Sequence, residues 1–240
     1  MAQAAKAPRV PWRKFLEMME FKPGQHSLII ARSGSGKTVL VQALAMTRPW
    51  SVVVVTKPAD SSTEWLRDTQ GFKVARTWAD TEAGFFRNRR HGHWILWPSA
   101  TSFDSKDHQR AVLHDAFVSV WEERNWSLAL DEAQLIHQHL SLGPDLAQMF
   151  LQGRSLGISL IASSQRPFNL GREAATQAVH FFFLRSTDTA DLDRLQEIVG
   201  RTNAEMVYEI VPKLDKHEFL YLNVETGVTL RSRVPADLAP

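Results

Sequence analysis

Residues 26–38 read His-Ser-Leu-Ile-Ile-Ala-Arg-Ser-Gly-Ser-Gly-Lys-Thr. Leu28 to Ile30 is a short apolar run that suits a buried strand, and small residues follow it. Beyond Lys37 and Thr38, the apolar positions Val39, Leu40, Leu44 and Ala45 recur at helical spacing. A strand, a small-residue loop, Lys-Thr and a helix make a cradle for phosphate. Without side-chain bulk, the amides of Ser33, Gly34, Ser35, Gly36, Lys37 and Thr38, with Val39 next in line, can turn inward onto phosphate oxygens. The helix N-terminus adds the positive end of its dipole. Lys37 can reach the β- and γ-phosphates, and the Thr38 hydroxyl is placed to ligate Mg²⁺. The usual pattern begins with glycine where this chain has Ala31. Alanine is tolerated there if its backbone stays in an ordinary region.

A second motif, Trp126-Ser-Leu-Ala-Leu-Asp131-Glu132, is a hydrophobic strand ending in two acids. Asp131 is placed to share Mg²⁺ with Thr38. Glu132 can orient and deprotonate the water that attacks a γ-phosphate. An Asp-Glu pair after a strand can also simply cap a following helix. Together with the phosphate loop, it resembles the additional-strand, catalytic-glutamate branch of P-loop nucleoside triphosphatases, with ATP and Mg²⁺ as the implied ligands.

The third motif runs Gly153-Arg154-Ser155-Leu156-Gly157-Ile158-Ser159-Leu160-Ile161-Ala162-Ser163-Ser164-Gln165-Arg166-Pro167. This run resembles the corresponding segment of the FtsK–HerA superfamily of DNA-translocating ATPases, in which a Gly-Arg pair precedes a strand that ends in Gln-Arg-Pro. The segment His180–Asp193 and the run Glu218-Phe-Leu-Tyr-Leu resemble the family too, so the likeness spans about residues 21 to 232. It implies a RecA-like α/β fold with a mostly parallel sheet flanked by helices. It also implies roles. Gln165 resembles the polar sensor beside the γ-phosphate. Arg154, with Arg185 as a second candidate, resembles a finger that reaches a neighbouring subunit's nucleotide. Each arginine equally suits a surface ion pair. The implied assembly is a homo-oligomeric ring, hexameric in the family.

The chain has 240 residues, enough for one large α/β domain. Residues 1–20 read as an N-terminal arm with a short helix, 21–232 as the ATPase domain and 233–240 as a C-terminal tail. Residues 1–11, Ala-rich with Pro8 and Pro11, read as a loose arm. Strands are expected at Ser51–Thr56, His93–Trp97, Trp126–Leu130, Ile158–Ala162 and His180–Leu184, with a final hairpin at Phe219–Asn223 and Gly227–Ser232. Helices are expected at Thr63–Asp68, Thr81–Arg87, Ser105–Arg124, after Glu132, at Asp145–Ser155, Asp188–Val199 and Asn203–Val211. Alternating strands and helices mean a mostly parallel sheet covered on both faces. There is no cysteine, so disulfides and thiolate metal sites are excluded. The apolar runs are too short to span a bilayer, and the N-terminus has no signal-like apolar core. The expectation is a cytoplasmic protein, or one of host cytoplasm and virion if viral.

Formal net charge is only +2, with an isoelectric point about 9.0. Nucleic-acid contact would therefore rest on clusters: Arg87, Arg89 and Arg90 in one, Lys106 and Arg110 in another. Both also suit a solvated face. Lys57-Pro58 resembles a family lysine, but the acid expected before it is Thr56. His137 and His139, two apart on a helix, do not share a face and make poor joint metal ligands. His91 and His93 carry no stronger metal signal, and the tryptophans read as packing residues. The size of the chain resembles small genome-packaging ATPases of tailless, membrane-containing viruses and phages, implying double-stranded DNA and a capsid-vertex or portal-like protein as partners. Two alternatives stay open: a conjugation or filamentous-phage extrusion ATPase of the same superfamily, and a nucleotide-gated assembly factor that translocates nothing. A small-molecule kinase fits less well, because it does not need the Asp-Glu pair.

Overall fold

The computed structural model describes residues 7–81, 92–98, 105–165, 170–186 and 192–238. Nine strands form one sheet: β1 (His26–Ile30), β2 (Ser51–Val54), β3 (Lys73–Ala75), β4 (His93–Leu96), β5 (Ser127–Leu130), β6 (Ser159–Ser164), β7 (Ala178–Leu184), β8 (Glu218–Asn223) and β9 (Thr229–Arg233). Their order is β3-β4-β2-β5-β6-β1-β7-β8-β9. The strands from β3 to β7 pair in parallel, and β8 and β9 close one side as an antiparallel hairpin. Strands such as β2, Ser-Val-Val-Val, are buried along their whole length, as a parallel sheet covered on both faces requires.

Alternation along each strand sends neighbouring side chains to opposite layers. Leu28, Leu128, Leu130 and Leu160 join one core; Ile29, Ala129, Ile161 and Phe182 join the other. The first core is closed by α4 (Lys106–Glu123), α5 (Gly143–Gln152), α6 (Gly171–Gln177), α7 (Leu192–Val199) and α8 (Arg201–Ile210). The second is closed by α1 (Trp12–Met19), α2 (Lys37–Met46) and α3 (Ser61–Gln70). Phe15 of α1 packs edge-on against Phe182, Phe219 and Tyr221, with ring centroids 4.9–6.0 Å away.

The described part of the N-terminal arm is not loose. Val10 N–H donates to the Arg231 carbonyl at 2.9 Å, and Arg231 N–H to the Pro8 carbonyl at 2.8 Å. Arg9 Nε donates to the buried Glu218 carboxylate at 2.8 Å. The cause is the exposed edge of β9, whose unpaired backbone groups attract an extended segment. The helix expected after Glu132 is a π-helical turn, Leu135–His139. Gly143-Pro144 opens α5 rather than standing before it, since proline fits the first helical turn. Strand β3 and helix α6 were not expected. The expected helix Thr81–Arg87 falls almost wholly outside the described residues. No helix among the described residues is long and apolar enough to cross a membrane.

Sheet order decides where the site lies. β5, β6 and β1 are adjacent and parallel, so the loops after their C-terminal ends meet at one edge. β2, beside β5, delivers its own loop to the same edge.

Candidate nucleotide-binding site

The loop leaving β1 turns on two glycines in the left-handed region, Gly34 at φ 79° and Gly36 at φ 99°. Gly36 ends the loop and α2 begins at Lys37. Ala31 is buried and keeps a negative φ, so no glycine is needed there. Its N–H donates to the Ser164 carbonyl at 3.1 Å, tying the start of the loop to the end of β6. Lys37 is only 6% exposed, held between the loop and the sheet edge.

Asp131 meets Thr38 directly. The Thr38 hydroxyl donates to Asp131 Oδ2 at 2.6 Å, and the Ser163 hydroxyl donates to Asp131 Oδ1 at 2.9 Å. Ser163 Oγ also accepts the Glu132 N–H at 3.1 Å. One serine on β6 therefore fixes both acids at the end of β5. Glu132 has φ 58°, an uncommon conformation for a non-glycine residue, which turns the chain sharply as it leaves the strand. Thr38 and Asp131 present a hydroxyl and a carboxylate side by side, hard oxygen donors that fit Mg²⁺ completed by waters and phosphate.

Lys57 belongs to this cluster, although the sequence around it gave it no clear role. Its Nζ lies 3.3 Å from Glu132 Oε1, 3.6 Å from Asp60 Oδ2 and 3.8 Å from Asp131 Oδ2. Burial alone would lower its pKa, but the charges of Asp131, Glu132 and Asp60 outweigh that and raise it. Asp60 is fixed in turn because it caps α3, accepting from Ser62 N–H at 3.0 Å and Thr63 N–H at 3.1 Å. Gln165, one residue past β6, lines a cleft with Lys37, Glu132, Gln134 and His139. Lys37, Thr38, Asp131, Glu132 and Gln165 are thus brought together, as the motifs predict.

The other predicted residues scatter. Arg185 follows β7, the other neighbour of β1, and is exposed at the phosphate-loop edge. Arg154 precedes β6 and so stands at the opposite edge, six residues of strand from Gln165, or about 20 Å. It is exposed and pairs with Glu225 at 3.1 Å. Lys106 and Arg110 are exposed at the start of α4, whose first turn reaches the Thr56 carbonyl through Gln109 at 2.9 Å. Arg87, Arg89 and Arg90 lie outside the described residues. His137 and His139 part company: His139 faces the cleft, while a Cβ on Gly143 would sit 3.0 Å from His137 Nε2. Among the described residues no cluster of three or more His, Cys, Asp or Glu could hold a metal.

No family model matches the chain, and no curated protein matches it. Solved structures do. The genome packaging NTPase B204 from Sulfolobus turreted icosahedral virus 2, in complex with sulfate, superposes at TM-score 0.65 and 16% identity, covering 90% of this chain and 98% of that one. VirB4 of Thermoanaerobacter pseudethanolicus gives 0.60 at 11% identity, covering 88% and 89%. The cytoplasmic domain of the Thermomonospora curvata type VII secretion ATPase EccC gives 0.57 at 18%, covering 89% of this chain and 25% of that one. With β6 inserted between the phosphate-loop strand β1 and the acid-bearing strand β5, the fold is that of an additional-strand P-loop ATPase. The three solved structures share that fold with this chain.

Proposed function

We propose that this chain hydrolyses ATP and uses the energy to drive double-stranded DNA through a homo-oligomeric ring, most simply a hexamer, as a genome-packaging motor. The observation that carries the reading is the convergence of Lys37, Thr38, Asp131, Glu132 and Gln165 at one sheet edge. Likeness to a genome packaging NTPase over almost the whole of both chains supports the choice within the class.

In this reading the loop amides and the Lys37 ammonium bind the β- and γ-phosphates of ATP. Thr38 and Asp131 would hold Mg²⁺, which offsets phosphate charge when bound. Glu132 takes a proton from the water as the water oxygen bonds to the γ-phosphorus and the bond to the β–γ bridging oxygen breaks, leaving ADP and phosphate. The Gln165 amide orients that water or the γ-phosphate. Lys57 holds the Glu132 carboxylate towards the loop between turnovers. Arg154 supplies the guanidinium that a neighbouring subunit's site requires, and Arg185 is the alternative donor. Lys106 and Arg110, with Arg87, Arg89 and Arg90, are the candidates for contact with DNA phosphates, which needs no base reading. A capsid vertex or portal-like protein would be the docking partner, and the protein would work in the host cytoplasm and the virion.

The test is ATP turnover by the protein and by Glu132→Gln, each with and without double-stranded DNA, alongside sizing of the assembly. The expected result is DNA-stimulated turnover by a ring, falling about two to four orders of magnitude in Glu132→Gln. Turnover indifferent to DNA would favour a nucleotide-gated assembly factor. Turnover unchanged in Glu132→Gln would move the base elsewhere.

A further inference from the structure

The π-helical turn after the acids carries a side chain to which the motifs give no role. The turn hangs from Glu132: Leu135 N–H donates to the Glu132 carbonyl at 2.8 Å, and Leu140 N–H donates to the Leu135 carbonyl at 3.1 Å. Ile136 and Leu140, four apart, are buried and anchor one face of the turn. Leu135 and His139, also four apart, line the cleft that Lys37, Glu132, Gln134 and Gln165 share. His137 turns instead to the start of α5, where a Cβ on Gly143 would lie 3.0 Å from its Nε2. Isolated π-helical turns are frequent at functional sites, and this one sorts its two histidines to different surroundings.

His139 reaches the cleft from the end of β5, Lys37 from the start of α2 and Gln165 from the end of β6. Three elements therefore aim hydrogen-bond donors at one space, with Glu132 on its wall. The cleft has a volume of about 200 Å³. That is room for a phosphoryl group and several waters, at about 30 Å³ for each water. The imidazole suits an anion in such a place, because at least one ring N–H donates whether the ring is neutral or protonated. Its ring is exposed, so it can meet a ligand without the turn unfolding.

Resting on the reading of the loop as a nucleotide site, we propose that His139 contacts the terminal phosphoryl group of a bound nucleoside triphosphate, a ring N–H donating to a γ-phosphate oxygen. Lys37 marks where the β- and γ-phosphates lie, and Glu132 marks where the attacking water lies. The γ-phosphate belongs between them, in the space that His139 borders. A nucleoside diphosphate leaves that space to water, so the contact separates the two nucleotides. It also ties the γ-phosphate to α5, because Leu142 N–H donates to the Ile136 carbonyl at 3.2 Å and the turn runs directly into that helix.

The experiment titrates ADP and the non-hydrolysable triphosphate β,γ-methylene-ATP, each with Mg²⁺, into the full chain, His139→Ala and His139→Gln. Ring-nitrogen NMR of histidine-labelled protein accompanies both titrations, with His139→Gln assigning the resonance. The expectation is triphosphate binding about tenfold weaker in His139→Ala and within about threefold of wild type in His139→Gln, whose amide still donates, with ADP affinity changed less than about twofold in either. The His139 resonance should move with the triphosphate and stay still with ADP. Unchanged triphosphate affinity in His139→Ala overturns the proposal. So do equal losses for both nucleotides, which would mean a general effect on the site, and so does a His139 resonance that ignores the triphosphate. The NMR arm decides if His139→Ala does not fold. Absence of any nucleotide binding by the wild-type chain would instead overturn the reading of the loop itself.

Discussion

Three carboxylates, Asp60, Asp131 and Glu132, converge on the Lys57 ammonium at 3.3–3.8 Å, and Lys57 is the side chain whose loss would leave them facing one another. Without that ammonium the like charges repel one another, and Glu132 is held besides through its backbone, by the Ser163 hydroxyl and by its left-handed turn. Lys57→Met should therefore lower the rate of ATP hydrolysis by about one to two orders of magnitude, less than removal of the base itself. ATP affinity should change by less than about threefold, because Lys37 and the loop amides are untouched. Steady-state kinetics with a parallel binding titration measures both; an unaltered rate would make Lys57 a bystander. In sequence the phosphate loop and the Asp-Glu pair were legible because their chemistry is written in consecutive residues. Lys57 was not, because its role comes from the pairing of β2 with β5, which sets residues 57 and 131 side by side.

At the scale of elements, β1 and β7 each carry a buried histidine. His26 is 1% exposed and accepts the Leu160 N–H at Nδ1, 3.1 Å away. His180 is fully buried; its Nδ1 meets the Tyr221 hydroxyl at 2.8 Å and its Nε2 meets Gln25 Oε1 at 2.9 Å. Burial is the main cause that lowers both pKa values to about 4. The unfolded chain takes up those protons near pH 6.5, whereas the folded chain resists until about pH 4. Their neutral forms therefore favour the fold fully above about pH 6.5, and that contribution drains away as the pH falls to about 4, by about 3 kcal/mol for each ring. Urea unfolding at pH 7.5, 5.5 and 4.5 should show stability falling steeply on the acid side, and the two rings should stay neutral to about pH 5 by NMR. Rings that titrate near pH 6.5 in the folded protein would contradict this. The strands that carry chemistry were visible because apolar runs and terminal acids mark them. β3 is three residues long with a single bulky apolar side chain, and α6 is Gly-Arg-Glu-Ala-Ala-Thr-Gln; neither is long enough for a period to stand out. The π-helical turn after Glu132 looks like an ordinary helix in sequence, since it differs only in which carbonyl each N–H finds.

For the whole molecule, the parallel sheet has two unlike edges. The C-terminal ends of its strands hold the phosphate loop, the acids, Lys57, Gln165 and Arg185, while Arg154 stands at the other. At about 20 Å, an arginine side chain cannot span to its own subunit's loop. If Arg154 serves a neighbour, Arg154→Ala should leave ATP affinity intact and reduce turnover by about three to five orders of magnitude. Mixing Arg154→Ala with Lys37→Ala subunits, each inactive alone, should then restore activity, because some interfaces would join an intact loop to an intact arginine. No recovery in rings shown to be mixed would hand the role to Arg185 or to a site complete within one subunit. The docking of residues 7–10 onto β9 adds a segment to the far side of the same sheet. Its backbone pairing was hidden because alanine and proline carry no strand signature.

ATP binding at this sheet edge is proposed to run through the loop from Ser33 to Thr38. Calorimetry of ATP binding to the wild-type chain and to Lys37→Ala tests it most directly. Measurable binding is expected for the wild type, with its loss, or near loss, in Lys37→Ala, where the loop has given up its buried cation. Equal affinity in the two proteins would contradict it.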